Sequence, residues 1–148
     1  MKVGVLMGSA SDTEKMKAAS ETLARFGIEA DVRVLSAHRN PTQVVELVSS
    51  ARENGYVAFI CGAGMAAHLA GVVAAHTTLP VVCVPLSGGA LNGVDALYST
   101  VQMPKGIPVA TVAVDGSQNA ALLVVEMLAI TDEKLQTCIE RGAHVVVT

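Results

Sequence analysis

Aromatic residues are almost absent from this sequence: tryptophan does not occur, and aromatic side chains make up only 3% of the residues. Proteins that bind nucleic acid strands stack bases on aromatic side chains and neutralise phosphates with basic stripes. The net charge here is −3, because 13 acidic residues outnumber 10 Lys and Arg. The composition therefore argues against a nucleic acid partner.

Charged side chains are scarce as well, at 16% of the residues, whereas hydrophobic residues reach 51%. A chain of 148 residues can bury the core of one domain, which we place at residues 1–148. So low a charge fraction leaves little polar side chain to cover the surface of that domain. We therefore expect other copies of the chain to cover part of it.

One long stretch, residues 54–94, contains no Asp, Glu, Lys or Arg. Hydropathy alone would indicate a membrane span there, but a Gly-Ala-Gly triplet, two histidines and two prolines interrupt the run. We interpret it as strand, helix and strand buried inside a protein that makes no membrane contact. Because the N-terminus lacks a signal-like segment and the three cysteines form no CxxC pair, the expected location is a reducing cytoplasm.

Short strand-like runs alternate with segments of helical spacing, which predicts a parallel sheet covered by helices on both faces. The predicted strands cover residues 2–7, 30–35, 57–61, 81–84 and 109–114. In the second of them, Asp31 and Arg33 alternate with apolar residues, which indicates a place near the sheet edge. The first predicted helix begins at a capping box over residues 11–14 and ends at Gly27, and the others cover residues 41–55, 65–77, 95–102 and 117–130. The fold class is a doubly wound α/β domain.

The last predicted helix is apolar on nearly every side over residues 120–130. A helix without a polar face must be covered all round. Because the sheet of a small domain covers only one side, we expect a neighbouring subunit to cover the other.

The segments that follow the first four predicted strands carry most of the reactive side chains. Ligands of an open parallel sheet bind outside the carboxyl ends of its strands. Small residues, hydroxyl groups, one imidazole and one guanidinium therefore come to the same edge, which is the predicted active site. The four segments are Gly8-Ser9-Ala10-Ser11-Asp12, Ser36-Ala37-His38-Arg39, Gly62-Ala63-Gly64-Met65 and Pro85-Leu86-Ser87-Gly88-Gly89.

The first segment opens a helix, so its N–H groups carry a partial positive charge that suits a phosphate. Arg39 on the neighbouring segment can hold the same anion with two parallel hydrogen bonds. Asp12, as an acceptor, suits ribose hydroxyl groups better. The simpler alternative is that Ser11 and Asp12 only cap the helix.

His38 is the candidate proton carrier, because imidazole exchanges protons near neutral pH. The alternative is a surface histidine without a role. His68 is expected one turn into the following helix, pointing at the ligand, whereas His76 and His144 are interpreted as structural or surface residues. Residues 62–67 also match the dinucleotide pattern G-x-G-x-x-A, but the acidic residue that this pattern needs about 20 positions later is missing. We interpret the glycines as allowing close approach of a small ligand.

These segments together resemble the active-site loops of the PurE family, and the likeness runs from residue 3 to about residue 135. It rests on residues 7–12 (MGSASD), 36–41 (SAHRNP), 62–69 (GAGMAAHL), 91–99 (LNGVDALYS), 101–108 (VQMPKGIP) and 119–122 (NAAL). Such dispersed motifs in the right order are specific. The resemblance implies a flavodoxin-like fold assembled as a homo-octamer.

The resemblance also implies an enzyme of de novo purine (IMP) synthesis with a small ribonucleotide substrate. The bacterial-type class of the family moves a carboxylate of 5-(carboxyamino)imidazole ribonucleotide from the exocyclic nitrogen to ring carbon C4, with no metal, biotin, ATP or other cofactor. A second class carboxylates aminoimidazole ribonucleotide directly with carbon dioxide, and it tends to have lysine in place of Arg39. The Ser-Ala-His-Arg and Gly-Ala-Gly motifs here resemble the mutase class.

The mutase resemblance implies a role for each matching residue. His38 would be the general acid that releases carbon dioxide and then the general base that takes the ring proton. Ser9, Asp12 and Arg39 would hold the ribose phosphate portion. The remaining substrate-binding residues would be Gly8, Ser11, Ser36, Ala37, Gly62, Ala63, Gly64, His68 and Leu69.

Three positions depart from the family pattern. Met65 and Ala70 stand where glycine and proline are more common, and Asn40 stands where threonine is usual. None of these changes removes a reactive group, although Met65 narrows the third loop. Two rival functions stay open: direct carboxylation, and a nucleotide-binding module without catalysis.

Overall fold

The computed structural model describes residues 1–143 and contains one parallel sheet of five strands. The strands are β1 (Lys2–Met7), β2 (Glu29–Val34), β3 (Tyr56–Gly64), β4 (Val81–Leu86) and β5 (Ala110–Thr111). They pair in the order β2-β1-β3-β4-β5, so the chain winds outward in both directions from the β1–β3 pair. The predicted doubly wound α/β fold is confirmed.

Within residues 1–143, six α-helices cover the two faces of the sheet. They are α1 (Thr13–Arg25), α2 (Pro41–Ser49), α3 (Leu69–Ala75), α4 (Val94–Val101), α5 (Ser117–Ala129) and α6 (Glu133–Cys138). Successive residues of a strand point to opposite faces, so Val5 packs with Met16 and Val124 of α1 and α5, whereas Leu6 packs with Val48 of α2 on the other side. Burying each such side chain stabilises the fold by roughly 1.5–3 kcal/mol.

The register of the strands brings four loops together. Met7 at the end of β1 is level with Val34 of β2 and Gly62 of β3, and Gly64 of β3 is level with Leu86 of β4. β3 and β4 continue beyond their predicted ends because they go on pairing with each other there. The carboxyl ends of β1 to β4 therefore form one continuous edge.

β2 lies at the edge of the sheet, as its alternating charges predicted. Arg33 Nε donates a hydrogen bond of 2.9 Å to Asp31 Oδ2, and Tyr56 Oη donates to the same carboxylate. Burial, together with the hydrogen bond and the charge of Asp31, raises the pKa of Tyr56 to about 12. Asp31 and Arg33 of β2 are thus paired with each other and with Tyr56.

The strand predicted over residues 109–114 is confirmed in its place beside β4, but it is shorter than predicted, since β5 contains only two residues. The N–H of Val112 still donates to the Cys83 carbonyl at 3.2 Å, but Asp115 has a φ of 57° and turns the chain away. The N–H of Asp115 donates to the Pro85 carbonyl at 2.9 Å. Residues other than glycine rarely adopt this left-handed conformation, so the apolar pattern did not indicate the turn.

The prediction of a capping box at residues 11–14 is wrong. Residues Ala10–Asp12 form a turn of 3₁₀-helix before α1, and Ser9 Oγ accepts the N–H of Ser11 at 3.3 Å. The Asp12 side chain makes no capping hydrogen bond. The cap therefore lies two residues earlier than predicted, which leaves the Asp12 carboxylate available for another role.

Two predicted helices are shorter in the structure. α3 begins at Leu69 rather than at residue 65, because Met65 has a φ of 52° that no right-handed helix includes. α2 ends at Ser49 rather than at residue 55, and the turn that follows leads to Gly55 with a φ of 79°. His68 consequently stands at the start of α3 and not one turn inside it.

α5 receives part of its expected cover from its own chain, because α1 and α6 both pack against it. α6 was not predicted, although Asp132 is a clear start signal: its Oδ1 accepts the N–H groups of Lys134 and Leu135 at 3.0 and 3.1 Å. Ile130 at the end of α5 remains 82% exposed. His144 lies outside the described residues.

The charge-free stretch, residues 54–94, forms β3, α3 and β4 as predicted. Cys61 and Cys83 are neighbours on β3 and β4 and are fully buried. Burial raises the pKa of the Cys61 thiol and raises that of Cys83 to about 12, so neither is a ready nucleophile. Across residues 1–143, every helix is too short or too polar to cross a membrane.

Candidate active site

A cavity of about 440 Å³ opens at the carboxyl ends of β1 to β4. Of the predicted site residues, only Gly62 does not line this cavity. Those that line it are Gly8, Ser9, Ser11, Asp12, Ser36, Ala37, His38, Arg39, Ala63, Gly64, His68 and Leu69. They come from three separate segments of the chain, which the strand register aligns. The structure therefore brings the predicted residues together at the predicted edge.

Gly62 faces away from the cavity, toward α1. A Cβ atom at this position would lie 2.4 Å from Met16 Sδ, so the missing side chain allows α1 to pack closely on the sheet. The Gly62 carbonyl accepts the N–H of Gly8 at 3.2 Å, which ties the first and third loops together. Its contribution in this structure is to packing and loop position.

His38 and His68 form a pair at the cavity. His38 Nε2 lies 2.7 Å from His68 Nδ1, and the two rings are nearly perpendicular at 85°. A hydrogen bond at this distance needs one nitrogen to donate and the other to accept, so the facing nitrogens share a single proton. Two fully protonated imidazoles would both donate and the contact would be lost. The pair can therefore pass a proton from one ring to the other.

The loop after β1 presents hydroxyl groups and one carboxylate. Ser11 Oγ donates to Ser9 Oγ at 2.9 Å, and the turn keeps both hydroxyls at the cavity. Burial raises the pKa of Asp12, although a backbone hydrogen bond from Ser9 and the charge of Lys15 oppose this effect. A partly desolvated carboxylate gains from a hydrogen bond donor such as a ribose hydroxyl.

The loop after β2 holds Arg39 in place through its backbone. The Arg39 N–H donates to Ser36 Oγ at 3.3 Å, and the Ser36 N–H donates to Asn40 Oδ1 at 3.4 Å. Within residues 1–143, the Arg39 guanidinium has no carboxylate in ion-pair distance. An unpaired guanidinium at the rim of a cavity is suited to an anionic ligand group.

The cavity has further lining residues to which the sequence assigned no binding or catalytic role. Met65, Ser87, Gly88 and Gly89 belong to the four predicted segments, whereas Lys15 and Ala66 lie outside them. Lys15 is the cavity-lining residue most clearly missed. It stands three positions after Asp12 in the first turn of α1, a spacing that places both on one face of a helix and offered a usable signal. Its contact with Ser87, 72 residues later, had no signal in the sequence.

Comparison with known proteins agrees with this geometry. Residues 2–144 match the family described as AIR carboxylase. The chain is 51% identical to N5-carboxyaminoimidazole ribonucleotide mutase of Vibrio vulnificus, over 95% of this chain and 88% of that protein. It is 55% identical to the protein of the same name from Aquifex aeolicus, over 86% of this chain and 77% of that protein.

A solved structure gives the same result for the fold. The crystal structure of Treponema denticola PurE superimposes with a TM-score of 0.83 and 29% sequence identity, covering 97% of this chain and 92% of that one. The family match and the relatives cover most of the residues that form the sheet and the cavity. The chain therefore belongs to the AIR carboxylase, or PurE, family.

Proposed function

We propose that this chain is a mutase of purine (IMP) biosynthesis that converts 5-(carboxyamino)imidazole ribonucleotide to 4-carboxy-5-aminoimidazole ribonucleotide. The single observation that carries the proposal is the His38–His68 pair at a cavity whose other lining includes hydroxyl groups, glycines, one carboxylate, two basic residues and small or apolar side chains. The names of the relatives from Vibrio vulnificus and Aquifex aeolicus support it.

In the first step, protonated His38 gives a proton to the exocyclic nitrogen of the substrate. The bond between that nitrogen and the carboxylate carbon breaks, its electron pair stays on nitrogen, and carbon dioxide is released. In the second step, ring carbon C4 attacks carbon dioxide and His38 takes the proton that C4 loses. The proton given in the first step is thus recovered, so one residue can serve as acid and base. His68, 2.7 Å away, is close enough to exchange a proton with His38.

The binding roles follow from the chemistry of the lining groups. Arg39 and the hydroxyl of Ser9 would hold the phosphate, and Asp12 would accept a hydrogen bond from a ribose hydroxyl. The remaining predicted site residues that line the cavity would surround the rest of the substrate. These are Gly8, Ser11, Ser36, Ala37, Ala63, Gly64, His68 and Leu69.

The direct test is to incubate the purified protein with 5-(carboxyamino)imidazole ribonucleotide, without ATP or added metal, and to follow the C4-carboxylated isomer. A parallel sample contains aminoimidazole ribonucleotide and bicarbonate. We expect efficient turnover in the first sample only. Efficient turnover in the second sample alone would identify a carboxylase instead, and no turnover in either would favour a nucleotide-binding module.

We propose further that the chain assembles as a homo-octamer in the cytoplasm. Four large apolar side chains on and just before α4 support an interface, since each is about half exposed or more and the spacing of the three within the helix places those three on one face. They are Leu91, Val94, Tyr98 and Val101. Tyr98→Lys should lower the mass measured by light scattering, whereas Val32→Lys on the edge strand β2, where Val32 is 46% exposed, should leave it unchanged.

A further inference from the structure

Three residues from distant parts of the chain meet beside the cavity: Lys15 of α1, Ser87 after β4 and Asp115 after β5. Lys15 Nζ donates to the Ser87 carbonyl and, at 2.9 Å, to Ser87 Oγ. The Ser87 N–H donates to Asp115 Oδ1 at 2.9 Å. One serine is therefore held by its carbonyl, its hydroxyl and its N–H at once.

The groups that hold Ser87 are themselves fixed. Ser117 is buried at the start of α5, and its Oγ donates to the Lys15 carbonyl at 2.6 Å. The Asp115 N–H donates to the Pro85 carbonyl at 2.9 Å, which sets the left-handed turn of Asp115. The contacts thus join α1, the end of β4 and the start of α5 into one network.

The charges in this network balance one another without a direct ion pair. Burial acts to raise the pKa of Asp115, but hydrogen bonds from the Ser87 hydroxyl and N–H and the nearby charge of Lys15 lower it more. Within residues 1–143, Lys15 has no carboxylate inside ion-pair distance, so Ser87 is its main partner. Hydrogen bonds to charged groups are the stronger kind, which suits a contact that must hold a loop.

Within residues 1–143, few contacts other than those of Ser87 hold the loop that follows it. Gly88 and Gly89 have φ values of 141° and 62°, and no atom lies within 4 Å of where a Gly88 side chain would begin. A Cβ at Gly89 would lie 3.3 Å from Met65 Cγ, so this loop and Met65 meet across the cavity. Met65, Gly88 and Gly89 all line the cavity opposite the loop that carries Arg39. Releasing Ser87 would therefore open this wall.

We infer that Lys15, Ser87 and Asp115 form a clasp that keeps the Gly88–Gly89 wall closed against Met65 while carbon dioxide is free in the cavity. Lys15 is a positioning residue, since it acts through Ser87. This inference rests on the proposed mutase function, in which carbon dioxide must be captured by C4 before it escapes. Escape would leave aminoimidazole ribonucleotide as a side product.

The test compares Lys15→Met with the matched variant Lys17→Met, using 5-(carboxyamino)imidazole ribonucleotide as substrate and ¹³C-bicarbonate in the buffer. Lys17 lies on the same helix but is exposed and pairs with Glu21 at 3.6 Å, away from the cavity. For Lys15→Met we expect about tenfold more aminoimidazole ribonucleotide per carboxylated product, matching the loss of a charged hydrogen bond. The carboxylated product should also contain more ¹³C. Lys17→Met should behave as wild type.

An unchanged product ratio in Lys15→Met would overturn the clasp, whatever happens to the total rate. Asp115→Asn should shift the ratio in the same direction by a smaller factor, and a thermal unfolding curve of this variant checks that its fold is intact. Amide hydrogen exchange over residues 86–90, measured without substrate, separates this inference from the proposed function. If wild type had no mutase activity, the proposed function would fail; slower or equal exchange in Lys15→Met would by itself refute the clasp.

Discussion

On the β2 side of the cavity, hydrogen bonds other than the His38–His68 contact join residues that are close in the chain, whereas on the β4 side they join residues that are far apart. Arg39 and Ser36 are three residues apart, and Ser11 and Ser9 are two apart. Lys15 reaches Ser87 across 72 residues of the chain. The first side organises itself locally, and the second exists only when the sheet has formed.

The difference separates two kinds of contribution to function. The local side presents the groups that would touch the substrate, namely His38, Arg39 and the serine hydroxyls. The long-range side presents the backbone of Gly88 and Gly89, and the Lys15 ammonium group there is hydrogen-bonded to Ser87. Substitutions on the local side should therefore affect the reaction rate and substrate affinity, whereas those on the other side should affect the retention of carbon dioxide and the stability of the fold.

The largest effect is expected for His38→Asn. Turnover should fall by about 10²- to 10⁴-fold, because the variant loses the proton carrier for both steps. The dissociation constant for the substrate, measured by calorimetry, should stay within a few-fold of wild type. His76→Asn is the control, since its ring contacts the Val72 carbonyl and lies outside this cavity. Retention of most of the rate in His38→Asn would remove its acid–base role.

Arg39→Glu should have the next largest effect, and on binding rather than on chemistry. A charge-assisted contact to phosphate contributes about 1.5–3 kcal/mol, so KM should rise roughly 10- to 100-fold while kcat changes much less. Arg52→Glu is a suitable control, because Arg52 lies away from the cavity. It donates to Thr78 Oγ1 at 3.1 Å, and these two residues precede β3 and β4, whereas the cavity lies at the opposite ends of those strands. Steady-state kinetics that leave KM unchanged would place the phosphate elsewhere.

The smallest effect is expected for Asp115→Asn, on the free energy of unfolding and its dependence on pH. The folded protein lowers the pKa of Asp115 below its ordinary value of 3.8, so its carboxylate adds stability at higher pH that is lost as pH falls through the lowered pKa. The residue is exposed, so the variant should be less stable by under about 1 kcal/mol at pH 7. Thermal unfolding should show that the difference in stability between wild type and Asp115→Asn becomes smaller below about pH 4. A stability difference that becomes larger in acid would contradict the proposed hydrogen bonds from Ser87 to the Asp115 carboxylate.

Much of the fold was predictable from the sequence, for reasons that particular elements illustrate. β1 has its predicted bounds because six strand-like residues end at Gly8, and α5 differs by one residue at its end. The end of β5 and the start of α3 were mispredicted where Asp115 and Met65 adopt left-handed conformations. Such positions depend on contacts with other segments, so local preference points the wrong way there.

The candidate site divides in the same manner. The sequence pattern identified every segment that follows β1 to β4, because strand ends in a parallel sheet share one edge. It assigned Gly62 to ligand contact, whereas the structure turns this residue toward Met16. It included His68 for its position near the ligand, but the 2.7 Å contact with His38 was not foreseeable. Contacts of this kind depend on the rotation of whole elements.

The sequence by itself determined the alternation of strands and helices, the edge where chemistry occurs, and the hydroxyl, imidazole and guanidinium groups that stand there. These features follow from apolar periodicity and turn residues within short windows of the chain. Only the tertiary structure decided that His38 meets His68 and that Lys15 holds Ser87. The physical reason is that a hydrogen bond needs its two atoms within about 3 Å, and for residues 30 or 72 positions apart only strand register and packing set that distance.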